Sequence, residues 1–346
     1  MPPALILRLT ALAALTSIVP AAAFTPAPAP NLAPRDLLRS IGQFTDADWA
    51  AVERGESVSR LLETGPRDIA VAGAVRITGS PDALVERYRD IDGFKKSSLV
   101  LDAQRMSAPP VRADLDRMPL DEYSLDLRSC RPGDCQVRLA ADDVRRFQRE
   151  INWYSPHWRR DSANLWRDVL LSYVLAYGAS GRRALPVFVN REPPVSVPNE
   201  LSLLVRHYGF LAAYAPEFHA YLQEFGPRIP EGAEQALYWT KEDIGVRPIV
   251  RISHQVTHRA PGSNPAAVIV TNQVYADHYL DAALSVTLAI ADDSGRAFYM
   301  IAVNRARTRS LTGILRRFAR STVQNRSRDA LRKILTNTKT AIERPG

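Results

Sequence analysis

The front of the chain changes from helical to strand-like periodicity. Two short amphipathic stretches, Asp36–Ile41 and Thr45–Val52, predict helices, with Thr45 as the N-cap of the second. Apolar residues alternate with small or polar ones over Ile69–Ile77, which predicts a β-strand. A second strand is predicted over Ser98–Met106.

A helix with a clear start follows the first of these strands. Ser80 occupies the N-cap position and Pro81 the first helical position, where the missing N–H of proline costs nothing. The apolar residues of this helix fall on one face: Leu84, Val85, Tyr88 and Ile91. The segment therefore predicts a strand, a turn and an amphipathic helix in succession.

The middle of the chain, from Ala140 to about Arg228, has mostly helical spacing. Helices are predicted over Asp142–Trp153, Asp161–Tyr177, Glu200–His207 and Pro216–Phe225. Prolines break the stretch Pro186–Pro198, which has room for one short strand. The longest helix carries an apolar stripe that is typical of core packing: Leu165, Trp166, Val169, Leu170, Tyr173, Val174 and Tyr177. We interpret the region as a helical insertion.

The last part of the chain is strand-like and then helical. Five β-rich runs are separated by turn sequences: Gln235–Lys241, Val246–Arg259, Ala266–Ala276, Tyr279–Ala291 and Arg296–Asn304. Their short connections predict an antiparallel meander. A long helix is predicted over Arg309–Ile342, docked on the sheet by its apolar residues: Leu311, Ile314, Leu315, Phe318, Leu331, Ile334 and Leu335.

This order of elements resembles the helix-grip fold of the START-like ligand-binding superfamily. The residues that carry the resemblance are Ile69–Phe94 at the front and Ala236–Ile342 at the back. The resemblance implies an α+β fold in which a curved antiparallel sheet grips the long C-terminal helix around an apolar cavity. The helical insertion at 140–228 departs from the usual pattern of that fold. Functions in the superfamily range from lipid carriage to cyclase-type enzymes.

The first 34 residues are predicted to lie outside the fold. The apolar stretch Leu9–Val19 and the small residues that follow it are typical of a signal peptide, residues 1–23, cleaved after Ala23. Residues 24–34 read as a proline-rich linker, and residues 35–346 as a single domain. The composition, 46% hydrophobic and 24% charged, is that of a globular protein. We therefore expect a periplasmic or secreted protein.

Cysteine usage agrees with export. Cys130 and Cys135 flank a Pro-Gly turn that would bring the two sulfur atoms together, and in an oxidising compartment a disulfide follows. Closing so short a loop restricts the unfolded chain by only ~2 kcal/mol, so the bond would fix a local loop. A redox-active pair is the alternative, but the two-residue spacing typical of such pairs is missing.

Positive charge is concentrated at the C-terminal end. The chain has a net charge of +8, and residues 296–346 hold 13 basic and two acidic residues, a net charge of +11. In an exported protein the matching polyanion is an acidic membrane surface or an envelope polymer, and nucleic acid is not an expected partner. The basic residues predicted to face such a surface are Arg316, Arg317, Arg320, Arg326, Arg328, Arg332 and Lys333.

Residues that could carry chemistry are few. His254 and His258 lie about 13 Å apart in a strand at ~3.3 Å per residue, too far for one metal ion. His278 beside Asp277 matches no metal motif, and the chain has no nucleophile elbow, phosphate loop or dinucleotide fingerprint. We therefore expect neither a metal nor a cofactor, and no catalytic residue is assigned.

We predict an exported protein that binds an apolar or amphipathic, lipid-like small molecule at or near an acidic membrane surface. The alternatives are a cyclase- or hydrolase-type enzyme that uses histidine and tyrosine acid–base groups in the same cavity, and a membrane-peripheral protein without a ligand. The residues expected to line the cavity are Tyr238, Ile252, His254, Tyr275 and His278. For His254, a hydrogen-bonded core histidine is the simpler interpretation.

Overall fold

The computed structural model describes residues 33–42, 44–94, 100–243, 247–260, 263–310 and 317–344. The predicted signal peptide and most of the linker lie outside these residues, as do Leu311, Ile314, Leu315, Arg316 and the side chains of Arg317 and Phe318. Within the described part of the chain the fold is α+β, as predicted, with an antiparallel sheet, a long C-terminal helix and a helical insertion.

Eight of the strands described in the chain form one antiparallel sheet. The strands are β1 (Val58–Leu61), β2 (Asp68–Thr78), β3 (Val100–Arg105), β4 (Val187–Phe188), β5 (Val195–Ser196), β6 (Ala233–Glu242), β7 (Ile249–Arg259), β8 (Ala267–Ala276), β9 (Ala282–Ala291) and β10 (Ala297–Arg307). The sheet order is β1-β2-β10-β9-β8-β7-β6-β3, and β4 and β5 form a separate pair. Strands β6 to β10 therefore make the predicted antiparallel meander.

Helices occupy both ends of the described chain and its middle. They are α1 (Pro34–Ile41), α2 (Asp46–Glu53), α3 (Pro81–Arg89), α4 (Ile91–Phe94), α5 (Glu122–Leu125), α6 (Ala141–Glu150), α7 (Trp158–Ser180), α8 (Val197–Val205), α9 (Leu211–Tyr214), α10 (Pro216–Glu224) and α11 (Arg317–Glu343). Short 3-10 turns occur at Arg112–Leu115, Gly181–Ala184 and Arg206–Tyr208. Among the described helices, none is both long enough and apolar enough to cross a membrane.

The predicted helix starts are confirmed by their capping contacts. The Thr45 hydroxyl accepts a hydrogen bond from the N–H of Asp48, whose carboxylate accepts one from the N–H of Thr45, and this reciprocal pair is a capping box. The Ser80 hydroxyl accepts a hydrogen bond from the N–H of Asp82 at 3.1 Å, and Pro81 is the first residue of α3.

Helices cover both faces of the sheet. On one face Val75 of β2 lies in an apolar cluster with Leu331 and Leu335 of α11. Its neighbour Ala74 points to the opposite face, into a larger cluster that includes Trp166 of α7. Because successive side chains of a strand alternate between faces, β2 contributes to both layers. The helical insertion therefore supplies the second layer of the core.

Gly73 allows α11 to lie close against β2. A Cβ atom at this position would be 2.7 Å from Cδ1 of Leu335 and 2.9 Å from the carbonyl oxygen of Val58. The prediction that Ile334 docks together with these leucines is wrong, since its side chain is 38% exposed. Ile334 lies about 60° around the helix from Leu331, off the buried stripe.

Two predicted boundaries are corrected. The C-terminal helix does not begin at Arg309, because residues 308–310 are not helical and the N–H of Thr308 donates to the carbonyl of Arg67. The proline-broken stretch Pro186–Pro198 holds two short strands rather than one, since β4 and β5 pair with each other. Pro193 and Pro194 lie between the two strands, and Pro186 and Pro198 lie on their outer sides, so each strand is only two residues long.

Candidate ligand-binding pocket

A pocket of about 410 Å³ opens at one end of the sheet. In an antiparallel sheet the ends of β8 and β10 meet the starts of β7 and β9, so the segments that flank these strands converge there. Four arginines and one carboxylate line the pocket: Arg138, Arg191, Arg247, Arg309 and Asp281. The remaining lining residues are aromatic or neutral and polar: Tyr123, His278, Tyr279, Gln136, Asn190 and Ser310.

The predicted disulfide is confirmed, and two residues just after its loop, Gln136 and Arg138, line the pocket. Cys130 and Cys135 are bonded, with their Cα atoms 4.5 Å apart. The N–H of Cys135 donates to the carbonyl of Asn190 at 3.1 Å, which ties the loop to the segment between β4 and β5. The N–H of Arg138 donates to the carbonyl of Asp277 at 2.9 Å. These bonds hold the loop and the insertion against the turn between β8 and β9.

Arg138 is a buried and fixed cation. Its side chain is 5% exposed, and one terminal nitrogen donates to Oδ1 of Asp281 at 2.6 Å while the other donates to the carbonyl of Leu280. Burial lowers the pKa of the Arg138 guanidinium and the Asp281 carboxylate opposes that shift, but arginine stays charged in proteins. Asp281, which is 0% exposed, also accepts a hydrogen bond from Arg67 at 3.2 Å.

His278 is buried against the pocket, and its ring has no hydrogen-bond partner within the described part of the chain. The residue is 7% exposed, and neither ring nitrogen makes a hydrogen bond to any residue that the structure describes. The nearest carboxylate is that of Asp277, with Oδ1 3.4 Å from Nδ1. Among the described residues, one terminal nitrogen of Arg247 and Oδ1 of Asn190 also lack a partner. Since buried polar atoms are usually paired, this group of atoms is suited to binding a ligand.

Three aromatic rings form a second wall. His278 makes edge contacts with Tyr123 and Tyr279, at centroid distances of 5.9 and 5.4 Å. The guanidinium carbon of Arg247 lies 3.5 Å above the centre of the Tyr123 ring, a cation–π contact that fixes this arginine. The pocket therefore offers a cationic wall and an aromatic wall to the same space.

Asp277 and His278 are both neutral near pH 7. Burial raises the pKa of Asp277 to about 8, the N–H of Val250 opposes the shift, and the charge of Asp121 adds to it. Burial also lowers the pKa of His278. A protonated carboxyl group thus lies beside an unprotonated imidazole, and the carboxyl group can release its proton near pH 8.

Of the residues predicted to line a cavity, His278 borders this pocket and the other four do not. Tyr238, Ile252 and Tyr275 are buried, and the Tyr275 hydroxyl donates to the carbonyl of Arg138 at 3.1 Å. His254 is a hydrogen-bonded core residue, with Nδ1 2.8 Å from the Tyr177 hydroxyl and Nε2 2.9 Å from Oε1 of Gln235. Burial lowers its pKa to about 4, so it is neutral at pH 7.

No family model matches the chain, and no curated protein is detectably similar to it. The pocket therefore has to be interpreted from its own residues. Among the residues that the structure describes, no group of three or more His, Cys, Asp or Glu side chains is placed to hold a metal ion.

The predicted basic surface on α11 has two kinds of basic residue, exposed and half-buried. Arg326, Arg332 and Lys333 are exposed. Arg320 and Arg328 are half-buried. Arg320 donates to the carbonyl of Gly65 at 2.8 Å, and this hydrogen bond links the helix to the loop before β2. Arg316 and the side chain of Arg317 lie outside the described residues.

The pocket arginines were not found by sequence reasoning. They are scattered between positions 138 and 309, each in a loop or near a strand end, and no recognised motif surrounds them. A usable signal was the segment Asp277–Asp281, in which four of the five residues are polar or aromatic and which follows a buried strand directly. This segment pointed to His278 but not to the arginines that line the same pocket.

Proposed function

We propose that the protein is an exported binding protein that holds a small organic anion in the pocket around Arg138 and His278. The observation that carries the proposal is the pairing of a fixed, buried guanidinium with a buried imidazole whose two nitrogens have no partner among the described residues. A pocket of about 410 Å³ falls in the size range of small-molecule sites, ~300–1,000 Å³.

The charge of the lining supports an anion. Four arginines face one carboxylate, and that carboxylate, Asp281, is already bonded to Arg138 and Arg67. A half-enclosed site screens charge less than bulk water does, so the excess positive charge favours a negative ligand. Guanidinium groups bind carboxylates and phosphates through paired hydrogen bonds, which makes either group a suitable head for the ligand.

This proposal refines the apolar or lipid-like ligand expected from the resemblance to START-like proteins. An amphipathic molecule fits the pocket if its anionic head group lies among the lining arginines and its apolar part lies toward Tyr123. The resemblance supports ligand binding as the type of function, while the lining residues support the charge of the ligand.

A matched pair of arginine variants tests the proposal. Arg247→Gln removes a pocket cation, and Arg332→Gln removes an exposed cation of α11. With phenyl phosphate as the probe in isothermal titration calorimetry, we expect Arg247→Gln to raise the Kd at least tenfold and Arg332→Gln to leave it within twofold. A wild-type chain that binds neither phenyl phosphate nor inorganic phosphate at millimolar concentration would contradict the proposal.

A second candidate is an enzyme that uses the same pocket. It is supported by Asp277 and His278, since an acid with a pKa of about 8 lies 3.4 Å from an imidazole at the pocket wall. Turnover of 4-nitrophenyl esters and phosphates tests it. An enzyme would lose at least ~100-fold in kcat through His278→Gln, the range expected for general acid–base catalysis. Binding without turnover would leave only the binding function.

We further propose that α11 contacts an acidic membrane surface. Arg326, Arg332 and Lys333 are exposed on one helix, and each basic group near an acidic surface contributes ~1 kcal/mol. Three such groups support weak, reversible contact rather than anchoring.

A further inference from the structure

Tyr279 has an unusual backbone conformation at the pocket wall. Its φ is +58°, in the left-handed region, and the N–H of Leu280 donates to the carbonyl of His278 at 2.7 Å. A hydrogen bond from residue i+2 to residue i around a central residue of positive φ defines a tight γ-turn of the rare, strained kind. Glycine adopts such a conformation readily, whereas a tyrosine adopts it at a cost.

The turn is fixed on both sides. The carbonyl of Tyr279 accepts a hydrogen bond from the Thr308 hydroxyl at 2.5 Å, and the N–H of Asp281 donates to the carbonyl of Arg307 at 2.7 Å. Beyond the turn, the Leu280 carbonyl and the Asp281 carboxylate both accept from Arg138. The backbone contacts around Tyr279 therefore need the turn, but none of them needs a tyrosine side chain.

What the tyrosine adds is a ring. Tyr279 lines the pocket, and its ring extends the aromatic wall that Tyr123 and His278 begin. The ring is only half-buried, so the protein core gains little from it. A strained residue with a half-buried ring at a pocket is better explained by contact with a ligand than by packing.

We propose that Tyr279 is a ligand-stacking residue, and that the organic anion held in this pocket has a flat, ring-shaped body that lies against the aromatic wall. The inference rests on the proposed function and deepens it, because it names the class of ligand: a planar aromatic carboxylate or aryl phosphate rather than a small aliphatic anion. Offset or edge contacts between aromatic rings supply the selectivity.

Two probes of equal charge separate ring contact from charge. Phenyl phosphate and methyl phosphate carry the same head group, and only the first has a ring. For the wild-type chain we expect phenyl phosphate to bind at least tenfold more tightly in calorimetry. Tyr279→Phe keeps this preference, while Tyr279→Gly and Tyr279→Ala reduce it to less than threefold by weakening phenyl phosphate alone.

The two variants without a ring also test the backbone. Tyr279→Gly relieves the left-handed conformation and Tyr279→Ala does not, so the glycine variant should melt about 2 °C higher than the alanine variant. Equal melting temperatures would show that the turn is not strained.

Three other results would contradict the inference, and each has a different meaning. If Tyr279→Gly weakens both probes equally, Tyr279 has only a structural role. If the wild-type chain binds both probes equally well, the aromatic wall does not contact the ligand and the inference fails, while the proposed anion binding stands. If neither probe binds, the proposed function fails and the inference with it.

Discussion

The arginines of the pocket and the arginines of α11 carry the same charge in opposite surroundings. In the pocket, Arg138 is buried and Arg247 lies on an aromatic ring, and both border one half-enclosed space. On α11, Arg320 donates to backbone carbonyls of the neighbouring loop and Arg328 lies 2.9 Å from the exposed Asp329. The helix has the larger total positive charge, but in the pocket the positive charges lie around one small space.

The difference teaches that net charge along the sequence is a poor guide to a binding site. An exposed ion pair or a solvated arginine contributes little, because water and salt screen it. A guanidinium in a half-enclosed pocket interacts more strongly with a ligand since less water surrounds it. The functional cations are therefore expected in the pocket, although the C-terminal end of the chain carries the largest local excess of basic residues.

The largest expected effect separates the two regions by stability. Asp281→Asn removes the buried partner of Arg138 and should lower the free energy of unfolding by about 3 kcal/mol, because it leaves a buried charge uncompensated. Asp329→Asn removes the exposed partner of Arg328 and should change it by less than about 0.5 kcal/mol. Chemical denaturation measures both changes. Similar losses of stability would mean that burial does not make the pairing of Arg138 more important than that of Arg328.

A pH-dependent effect of intermediate size is expected at the pocket. The pKa of Asp277 is about 8 in the folded chain against 3.8 for the free side chain, so the folded state keeps a proton that the unfolded state releases above pH 4. The stability from this proton is fully present below pH 4 and is lost as the pH rises through 8.

Asp277→Asn removes this dependence. Between pH 5 and 8.5 the melting temperature of the wild-type chain should fall by about 5 °C more than that of the variant, in calorimetry at constant ionic strength. Asp329→Asn, on α11, serves as the control and should follow the wild-type curve. A wild-type curve parallel to that of Asp277→Asn would place the pKa of Asp277 near its ordinary value.

The smallest effect concerns α11 itself. Vesicles with acidic lipids should bind the wild-type chain weakly at low salt, and replacing Arg326, Arg332 and Lys333 by Gln should greatly reduce that binding, because these three charges are exposed on α11. Sedimentation with acidic and neutral vesicles at low and high salt measures it. Equal partitioning to both vesicle types would contradict membrane binding through these charges, and α11 would then have only a structural role on the sheet.

Much of the fold was predictable because it depends on neighbours in the sequence. The start of α3 follows from Ser80 and Pro81, the meander from short turns between β-rich runs, and the disulfide from two cysteines around one turn. The docking face of α11 was predicted only in part, since Leu331 and Leu335 are buried and Ile334 is not. A list of apolar residues does not specify which of them the sheet will meet.

The sequence by itself determined the local elements and the order in which they occur. Only the tertiary structure decided that the insertion covers the second face of the sheet and that Arg138, Arg247 and His278 border one pocket. The physical reason is that helix caps, turns and alternation act over a few residues, whereas this pocket forms where strand ends meet. Which strand ends meet depends on the pairing of strands far apart in the chain, and no local pattern records it.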